Sequence, residues 1–420
     1  MELATVRAYN YSNLRPAPSN LLSLRLVHLS DLHLGYRQYQ RLTPNGVNQR
    51  EADVAATFRN ALDRVIELAP DVVIVAGDIF HTVRPTNQAI LHAFLQFSRL
   101  VRELPNAIVV LVAGNHDTPR SSETGGILPL LAQLGLHVVD RDAKRLAFPE
   151  LDLSILAVPD VPGIEQPSLK PDASARFNVV IFHGEVAGIL PAWASVSDRA
   201  AVTVAREELD ARWDYIAMGH YHVYTEVAPN AYYSGSIDYT SVNTWGEAHE
   251  QDKAGVHGKG FVERNLETGE HTFHVLDPVR PLVDLEPVRA RGLTADELDA
   301  RIKAAVESCD GGIDDKIVRL VVFDVARHIA RDLDHKTIRD YKRRALHFHL
   351  DLRRPDVFRI QSSGAPGGAR VDLKDVVAEK LRWRTIDADI DRATLIERAV
   401  SYLDEASAVP LAPAAMVDAS

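Results

Sequence analysis

Five short apolar runs in this chain end in the same way. Leu24–Ser30 is followed by Asp31-Leu32-His33, and Val72–Ala76 by Gly77-Asp78 and then His81. Ile108–Ala113 is followed by Gly114-Asn115-His116-Asp117. Val179–Phe182 leads into His183-Gly184, and Tyr215–Met218 into Gly219-His220-Tyr221-His222. Helical periodicity fills the gaps between the first three runs. Val54, Phe58, Leu62, Val65 and Ile66 predict a helix over Gln49–Leu68 that ends at Pro70. Ile90, Leu91, Phe94, Leu95 and Val101 predict a second, stopped near Pro105. A short helix over Ile127–Leu134 and a strand over Leu153–Val158 follow. Strands alternating with helices predict an α/β core. In such sheets, sites lie at the carboxyl ends of the strands.

The residue types at those ends are metal donors. Asp-x-His and His-x-His put two side chains on one side of an extended segment. Glycines before Asp78, Asn115 and His220 let the backbone turn without a Cβ clash. Oxygen and imidazole donors without sulfur suit Mn²⁺, Fe²⁺ or Zn²⁺. Taken singly, each motif has an ordinary reading: Gly-Asp is a turn, Gly-Asn-His-Asp an Asx-capped turn. Together, Asp31, His33, Asp78, Asn115, His183, His220 and His222 are too many donors for one ion. They suit two ions sharing a bridging carboxylate, the usual apparatus for phosphate-ester hydrolysis.

Composition narrows the class further. The chain has 420 residues, enough for two or three domains, and a net charge of −11. One cysteine, Cys309, excludes a disulfide scaffold and a Cys-based zinc site, and fits a reducing, cytoplasmic compartment. The longest apolar runs, such as Ala107–Ala113, are far below the ~20 residues of a membrane span, and the N-terminus lacks an export signal pattern. From Pro281 the pattern changes. Strands are predicted over Pro281–Val288, Ile317–Val325 and His347–Leu352, with helices opened by the Thr294/Glu297 capping box and over His335–Arg344. Gln361–Arg370 has a linker composition. Two amphipathic helices follow, about Leu373–Trp383 and Arg392–Glu405.

The ordered set Asp31-Leu32-His33, Gly77-Asp78, Gly114-Asn115-His116-Asp117, His183 and Gly219-His220-x-His222 resembles the calcineurin-like metallophosphoesterase superfamily. Within it, the chain looks like the SbcD-type DNA double-strand-break repair exonucleases and their archaeal and eukaryotic counterparts. That narrower likeness rests on His33-Leu34-Gly35-Tyr36-Arg37-Gln38-Tyr39, Gln49-Arg50-Glu51, Gly77-Asp78-Ile79-Phe80-His81 and Arg84-Pro85. Tyr233-Ser234-Gly235-Ser236 and Arg280-Pro281-Leu282-Val283-Asp284 add to it. The resemblance implies an α/β fold: a two-sheet metallophosphoesterase sandwich with a smaller α+β capping domain and C-terminal helices. Boundaries follow: a flexible extension over 1–22, a nuclease domain over 23–278 and a capping domain over 279–359. A linker over 360–371, a helical partner-binding segment over 372–406 and a disordered tail over 407–420 complete the chain. The resemblance implies two Mn²⁺ ions, one held by Asp31, His33, Asp78 and His222, the other by Asp78, Asn115, His183 and His220. His116 then stabilises the transition state and protonates the leaving oxygen, Asp117 orients it, and His81 positions the phosphate. Leu32 departs from the Trp common in bacterial members, and His81 from their Asp.

The implied function is a Mn-dependent DNA nuclease, a duplex 3′–5′ exonuclease and single-strand endonuclease. Arg327–Arg359 carries ten Lys or Arg against five Asp or Glu, a local excess of positive charge that suits phosphate contact. Arg339, Lys342, Arg343 and Arg344 on the cap, with Arg37 and Arg84, are the candidate DNA contacts. Leu373, Val376, Val377, Leu381, Leu395, Ile396, Val400 and Leu403 form stripes that suit either a docked edge of the core or a partner-binding pair of helices. The resemblance implies an SMC-like coiled-coil ATPase of the SbcC type there, and a homodimer through the Pro85–Leu104 region. Two other readings stay open: a small-molecule phosphodiesterase or phosphatase, and a non-catalytic scaffold for the ATPase.

Overall fold

The computed structural model describes residues 23–119, 125–165, 167, 169–190, 200–209, 212–355, 373–384 and 391–408. The expected extension over 1–22 and linker over 360–371 lie outside the described residues, as do residues 409–420 of the expected tail. The chain divides into two compact units, Met1–Pro355 and Asp356–Ser420. Among the described residues, no helix is long and apolar enough to cross a membrane.

The larger unit is built on two six-stranded sheets. The first runs His271–Val275, Gly260–Asn265, Arg25–Leu29, Val72–Ala76, Ile108–Val112, His137–Val139. The second runs Thr225–Ala228, Ala231–Tyr233, Tyr215–Gly219, Phe177–His183, Leu153–Val158, Lys144–Phe148. Central strands of both pair in parallel. A strand buried on both faces reads as an unbroken β-branched run rather than an alternation. Val72–Ala76 is such a case. Val73 and Val75 pack with Val54, Phe58, Leu62 and Phe97 of the two long helices, Gln49–Leu68 and Asn87–Glu103. Val72, Ile74 and Ala76 instead meet Ile155, Val179, Ile181 and Ala217 of the other sheet. The layers are therefore helices, sheet, sheet, with Phe182, Trp213 and Met218 in a further core on the outer face.

The long helices begin and end where their sequence directs. Asn48 caps the first, its side chain accepting from Arg50 N and Glu51 N. Ala69 closes it at φ +47°, just before Pro70. The helix expected over Ile127–Leu134 shrinks to one turn, Pro129–Ala132.

The strands and helices expected between Pro281 and Leu352 form, and they lie within the larger unit rather than in a unit of their own. Leu282–Arg289, Ile317–Phe323 and His347–Leu352 form a parallel three-stranded sheet. Ala295–Glu307, His335–Arg344 and a further short helix, Arg327–Asp332, accompany it. The capping box is present, with Glu297 N donating to Thr294 Oγ1 and Thr294 N to the Glu297 carboxylate. The cap joins the core through polar groups. Arg280 donates twice to the buried Asp53 at 2.8 and 2.9 Å, Arg41 pairs with Asp315 at 2.7 Å, and Tyr39 stacks on His347.

The smaller unit holds two helices packed on each other, Leu373–Trp383 and Arg392–Ala408. Arg392 Nη1 donates to the carbonyls of Leu381, Arg382 and Arg384, satisfying the end of the first helix. The second helix runs two residues beyond the expected 372–406 boundary.

Candidate metal centre

The strand ends are locked together by backbone before any side chain is considered. Asp31 N donates to Gly77 O, His33 N to Asp78 O and Leu34 N to Ile79 O, all at 2.9–3.0 Å. This pins the first two strand-end loops side by side. The turns demand unusual torsions: Asp31, His33, Asp78 and His220 have φ of +52°, +45°, +51° and +100°. Positive φ is uncommon outside glycine and marks positions where surrounding structure holds strain. The flanking glycines are needed for close approach. A Cβ on Gly114 would lie 2.1 Å from Asp78 Oδ1, and one on Gly219 1.8 Å from the Ala76 carbonyl.

The side chains converge in two groups. His33 Nε2 lies 2.9 Å from His222 Nε2, with Asp31 Oδ1 4.0 Å from the latter. His183 Nε2 lies 2.9 Å from Asn115 Oδ1, and His220 Nδ1 3.3 Å from the same oxygen. Asp78 Oδ2 joins the groups, 3.7 Å from His33 Nε2 and 3.4 Å from His183 Nε2. All seven expected donors are thus brought together. Asp31, His33, His222 and Asp31, Asp78, His183 each offer ligand atoms within 4.8 Å of one another.

This donor set fits divalent ions. It is carboxylate, amide oxygen and imidazole without sulfur, the set of hard or borderline metals. Facing imidazole nitrogens such as those of His33 and His222 need a proton or a cation between them. The electrostatics point the same way. Burial disfavours a charged His183 ring, but the carboxylates of Asp78, Asp31 and Asp160 outweigh it and push His183 up to about 10. Burial would raise Asp78, yet the neighbouring His183, His116 and His33 rings hold it well below the usual carboxylate range. The carboxylates around His183 thus favour a positive charge beside Asp78, which a metal ion would supply on binding.

The distal nitrogens of three of the rings face acceptors. His183 Nδ1 lies 2.9 Å from the Ala76 carbonyl, which fixes its tautomer when neutral. His220 Nε2 is 3.5 Å from Glu185, and His222 Nδ1 is 3.8 Å from Glu247. Sequence reasoning missed Glu247. Burial would raise it, but Lys259 and His222 hold it down at about 2.

His116 and His81 stand beside the centre. His116 N donates to Asp78 Oδ1 at 2.9 Å, and its Nδ1 lies 2.7 Å from the His81 carbonyl. The two rings stack, and His81 Nδ1 comes within 3.3 Å of His33 Nδ1. With His33 they form a third group of close ligand atoms. Asp117, expected to orient His116, also holds backbone. Its carboxylate accepts from the backbone N–H groups of Ile79, Phe80 and Gly114 at 2.9–3.1 Å, tying the second strand-end loop to the third. Burial and the nearby Asp78 push it up to about 7. His116 Nδ1 faces the His81 carbonyl.

The expected DNA contacts separate into two sets. Arg37 pairs with Glu51 at 2.7 Å, Arg343 with Asp340, and Arg344 donates twice to Asp314. Arg84, Arg339 and Lys342 are exposed and make no ion pair among the described residues. The expected partner stripe is half-buried at Val376, Val377, Leu381, Leu395, Ile396, Val400 and Leu403, and Leu373 opens the first helix.

Two α/β sheets with paired Asp and His donors at their strand ends define a metallophosphoesterase. Residues 24–224, just under half of the chain, match the calcineurin-like phosphoesterase family. Among individual proteins, it is similar to the DNA double-strand break repair protein Mre11 of several archaea. The Methanococcus maripaludis protein is 28% identical over 257 residues, 58% of this chain and 63% of the relative. That of Thermoplasma acidophilum is 29% identical over 276 residues, 62% and 67% of the two chains. That of Methanocaldococcus jannaschii reaches 38% over 97 residues, 23% and 24% of the two. The matched stretches thus span at most about two thirds of these relatives.

Proposed function

We propose that this chain is a Mn²⁺-dependent DNA nuclease acting in double-strand-break repair, as a duplex 3′–5′ exonuclease and single-strand endonuclease. The observation that carries this reading is the meeting of two donor groups at Asp78 Oδ2. Asp31, His33, Asp78 and His222 would hold one ion, and Asp78, Asn115, His183 and His220 the other. Ions there supply Lewis acidity, making water a nucleophile at neutral pH and offsetting charge on the phosphoryl oxygens.

The chain's own residues do the rest. His116, with Nδ1 turned to the His81 carbonyl, directs Nε2 to proton work and gives a proton to the leaving 3′-oxygen. His81, stacked on it, positions the phosphate. Asp117 fixes the loops that carry Asp78 and His116. Exposed Arg84, Arg339 and Lys342 meet the DNA backbone, which makes binding salt-dependent. The repair role is supported by the Mre11 relatives.

The same reading includes partners. Leu91 and Leu95, four apart on one helix face, are 59% and 55% exposed, which favours a homodimer there. The helix pair over 373–408 leaves its apolar stripe half-buried, a surface suited to an SMC-like ATPase's coiled coil.

The test is direct. The purified chain is incubated with Mn²⁺ and, separately, end-labelled duplex DNA, a cyclic nucleotide and a generic phosphodiester. Cleavage of the DNA ends supports the reading. Turnover of the small esters alone transfers the function to a small-molecule phosphodiesterase.

A further inference from the structure

Behind His222 lies a charge pair that nothing in the core's packing requires. Glu247 is 0% exposed and Lys259 5%, and their charged groups are in contact. Glu247 sits on the helix Thr244–Lys253, Lys259 just before the strand Gly260–Asn265. Breaking such a pair is costly, yet a hydrophobic pair of like volume is commonly as stable, so burial of the charges calls for another reason. Glu247 Oε2 accepts from Ser241 N at 3.3 Å and Lys259 lies over the Tyr239 ring, while further contacts reach His222. Lys259 Nζ donates to the His222 carbonyl at 2.7 Å. Ser236 Oγ lies 2.8 Å from the Asp238 carbonyl, 3.1 Å from Glu247 Oε1 and 3.4 Å from the His222 carbonyl, one of which its hydrogen can meet. Glu247 Oε2 faces His222 Nδ1 at 3.8 Å, while His222 Nε2 faces His33 and Asp31. That Nδ1 is buried with no hydrogen-bond partner of its own. The pair therefore holds the backbone of one donor and sets a carboxylate 3.8 Å from its distal nitrogen.

We infer that Glu247, held in place by Lys259, is a positioning residue that orients His222 toward the ion it shares with Asp31, His33 and Asp78. The inference rests on the two-ion reading above. Its physics is that of a carboxylate–imidazole–metal relay, in which the carboxylate fixes the tautomer and raises the basicity of the ligating nitrogen. Its particular consequence is selectivity: of the seven donors, His222 is the one that Glu247 faces among the described contacts, and the group around Asn115, His183 and His220 is left as it is.

The experiment titrates metal-stripped chain with Mn²⁺, counting free ion by its paramagnetic resonance signal. Wild-type chain takes up two ions. Glu247→Gln keeps one site at wild-type affinity and weakens the other by about 10–100-fold. Glu247→Gln/Lys259→Met removes both charges, leaves no unpaired lysine, and gives the same one-site loss. Two ions bound at wild-type affinity by folded variants would overturn the inference while leaving the two-ion reading intact. Equal weakening of both sites, or failure of both variants to fold, makes the pair structural and also overturns it. A wild-type chain that takes up no Mn²⁺ overturns the two-ion reading and the inference with it.

Discussion

Asp31, His33, Asp78 and His220 all hold backbone torsions that ordinary residues avoid. Each such residue costs on the order of 1–3 kcal/mol, and persists only where its surroundings over-determine it. Here the surroundings are the cross-loop hydrogen bonds and the Asp117 carboxylate. Strain of this kind at four donors separates a built site from chance clustering. Two predictions belong to single residues. His116→Ala removes the proton donor but no ion-holding group, so elemental analysis should find both ions while DNA cleavage falls about 10²–10⁴-fold. Cleavage at the wild-type rate would remove His116 from the mechanism. Gly114→Ala drives a Cβ into Asp78 Oδ1 and should displace the shared carboxylate. Its Mn²⁺ content should drop below wild type at equal concentration, and unchanged content would show that the loop can yield.

At the scale of elements, legibility followed the apolar pattern. Val72–Ala76, Leu153–Val158 and Gln49–Leu68 were readable to the residue because burial on two faces, or on one helical face, leaves a plain signature. The strand ends were readable for the same reason, since the donors follow directly. Edge strands such as Lys144–Phe148, with exposed Lys144, Arg145 and Ala147, carried no such signature and were not foreseen. The helix Thr244–Lys253 is the sharper case. Its buried residues are Thr244, Glu247 and Gln251, so a polar face turned inward erased the period that would have revealed it. Glu247 was missed with its helix. Spacing puts Asp117 beside His116 but says nothing of which backbone amides lie within its reach, so its bonds to Ile79, Phe80 and Gly114 were not foreseen. One further group belongs here. His28, in the strand Arg25–Leu29, is fully buried with Nδ1 3.0 Å from Tyr215 Oη across the two sheets. Burial pushes it down to about 3, against a backbone hydrogen bond with Met218. The unfolded chain takes up this proton below pH ~6.5 and the folded chain does not. Stability from a neutral His28 is therefore complete above that pH and is lost progressively as pH falls toward 3. Urea unfolding at pH 7 and pH 4.5 should show a smaller loss for His28→Gln than for wild type. Equal losses would place the acid sensitivity elsewhere.

For the molecule as a whole, the capping region must keep a fixed pose against the core if exposed Arg339 and Lys342 are to meet DNA. Among the described residues, the cap has a hydrophobic cluster of its own, built from residues such as Leu298, Ile302, Val318 and Phe348. The restraint is electrostatic, and its parts are unequal. Arg41–Asp315 pairs at 33% and 73% side-chain exposure, and such a pair contributes only about 0–1 kcal/mol. Arg280–Asp53 is different: Asp53 is 2% exposed and Arg280 13%, and the guanidinium meets both carboxylate oxygens. Asp53 also faces Arg50, which in turn pairs with Asp238 at 2.8 Å, so the junction runs into the first helix and the loop before Thr244–Lys253. Arg280→Met leaves a buried carboxylate short of its main partner and should cost about 3–5 kcal/mol. Asp53→Asn/Arg280→Met should recover much of that, as the orphaned charge is then gone. Hydrogen exchange locates the effect. In Arg280→Met, amides at the cap junction around Leu282 and Ile317 should exchange faster, while those of Val72–Ala76 keep wild-type protection. Uniform loosening of both regions would mean that the pair stabilises the whole unit rather than the pose of its cap.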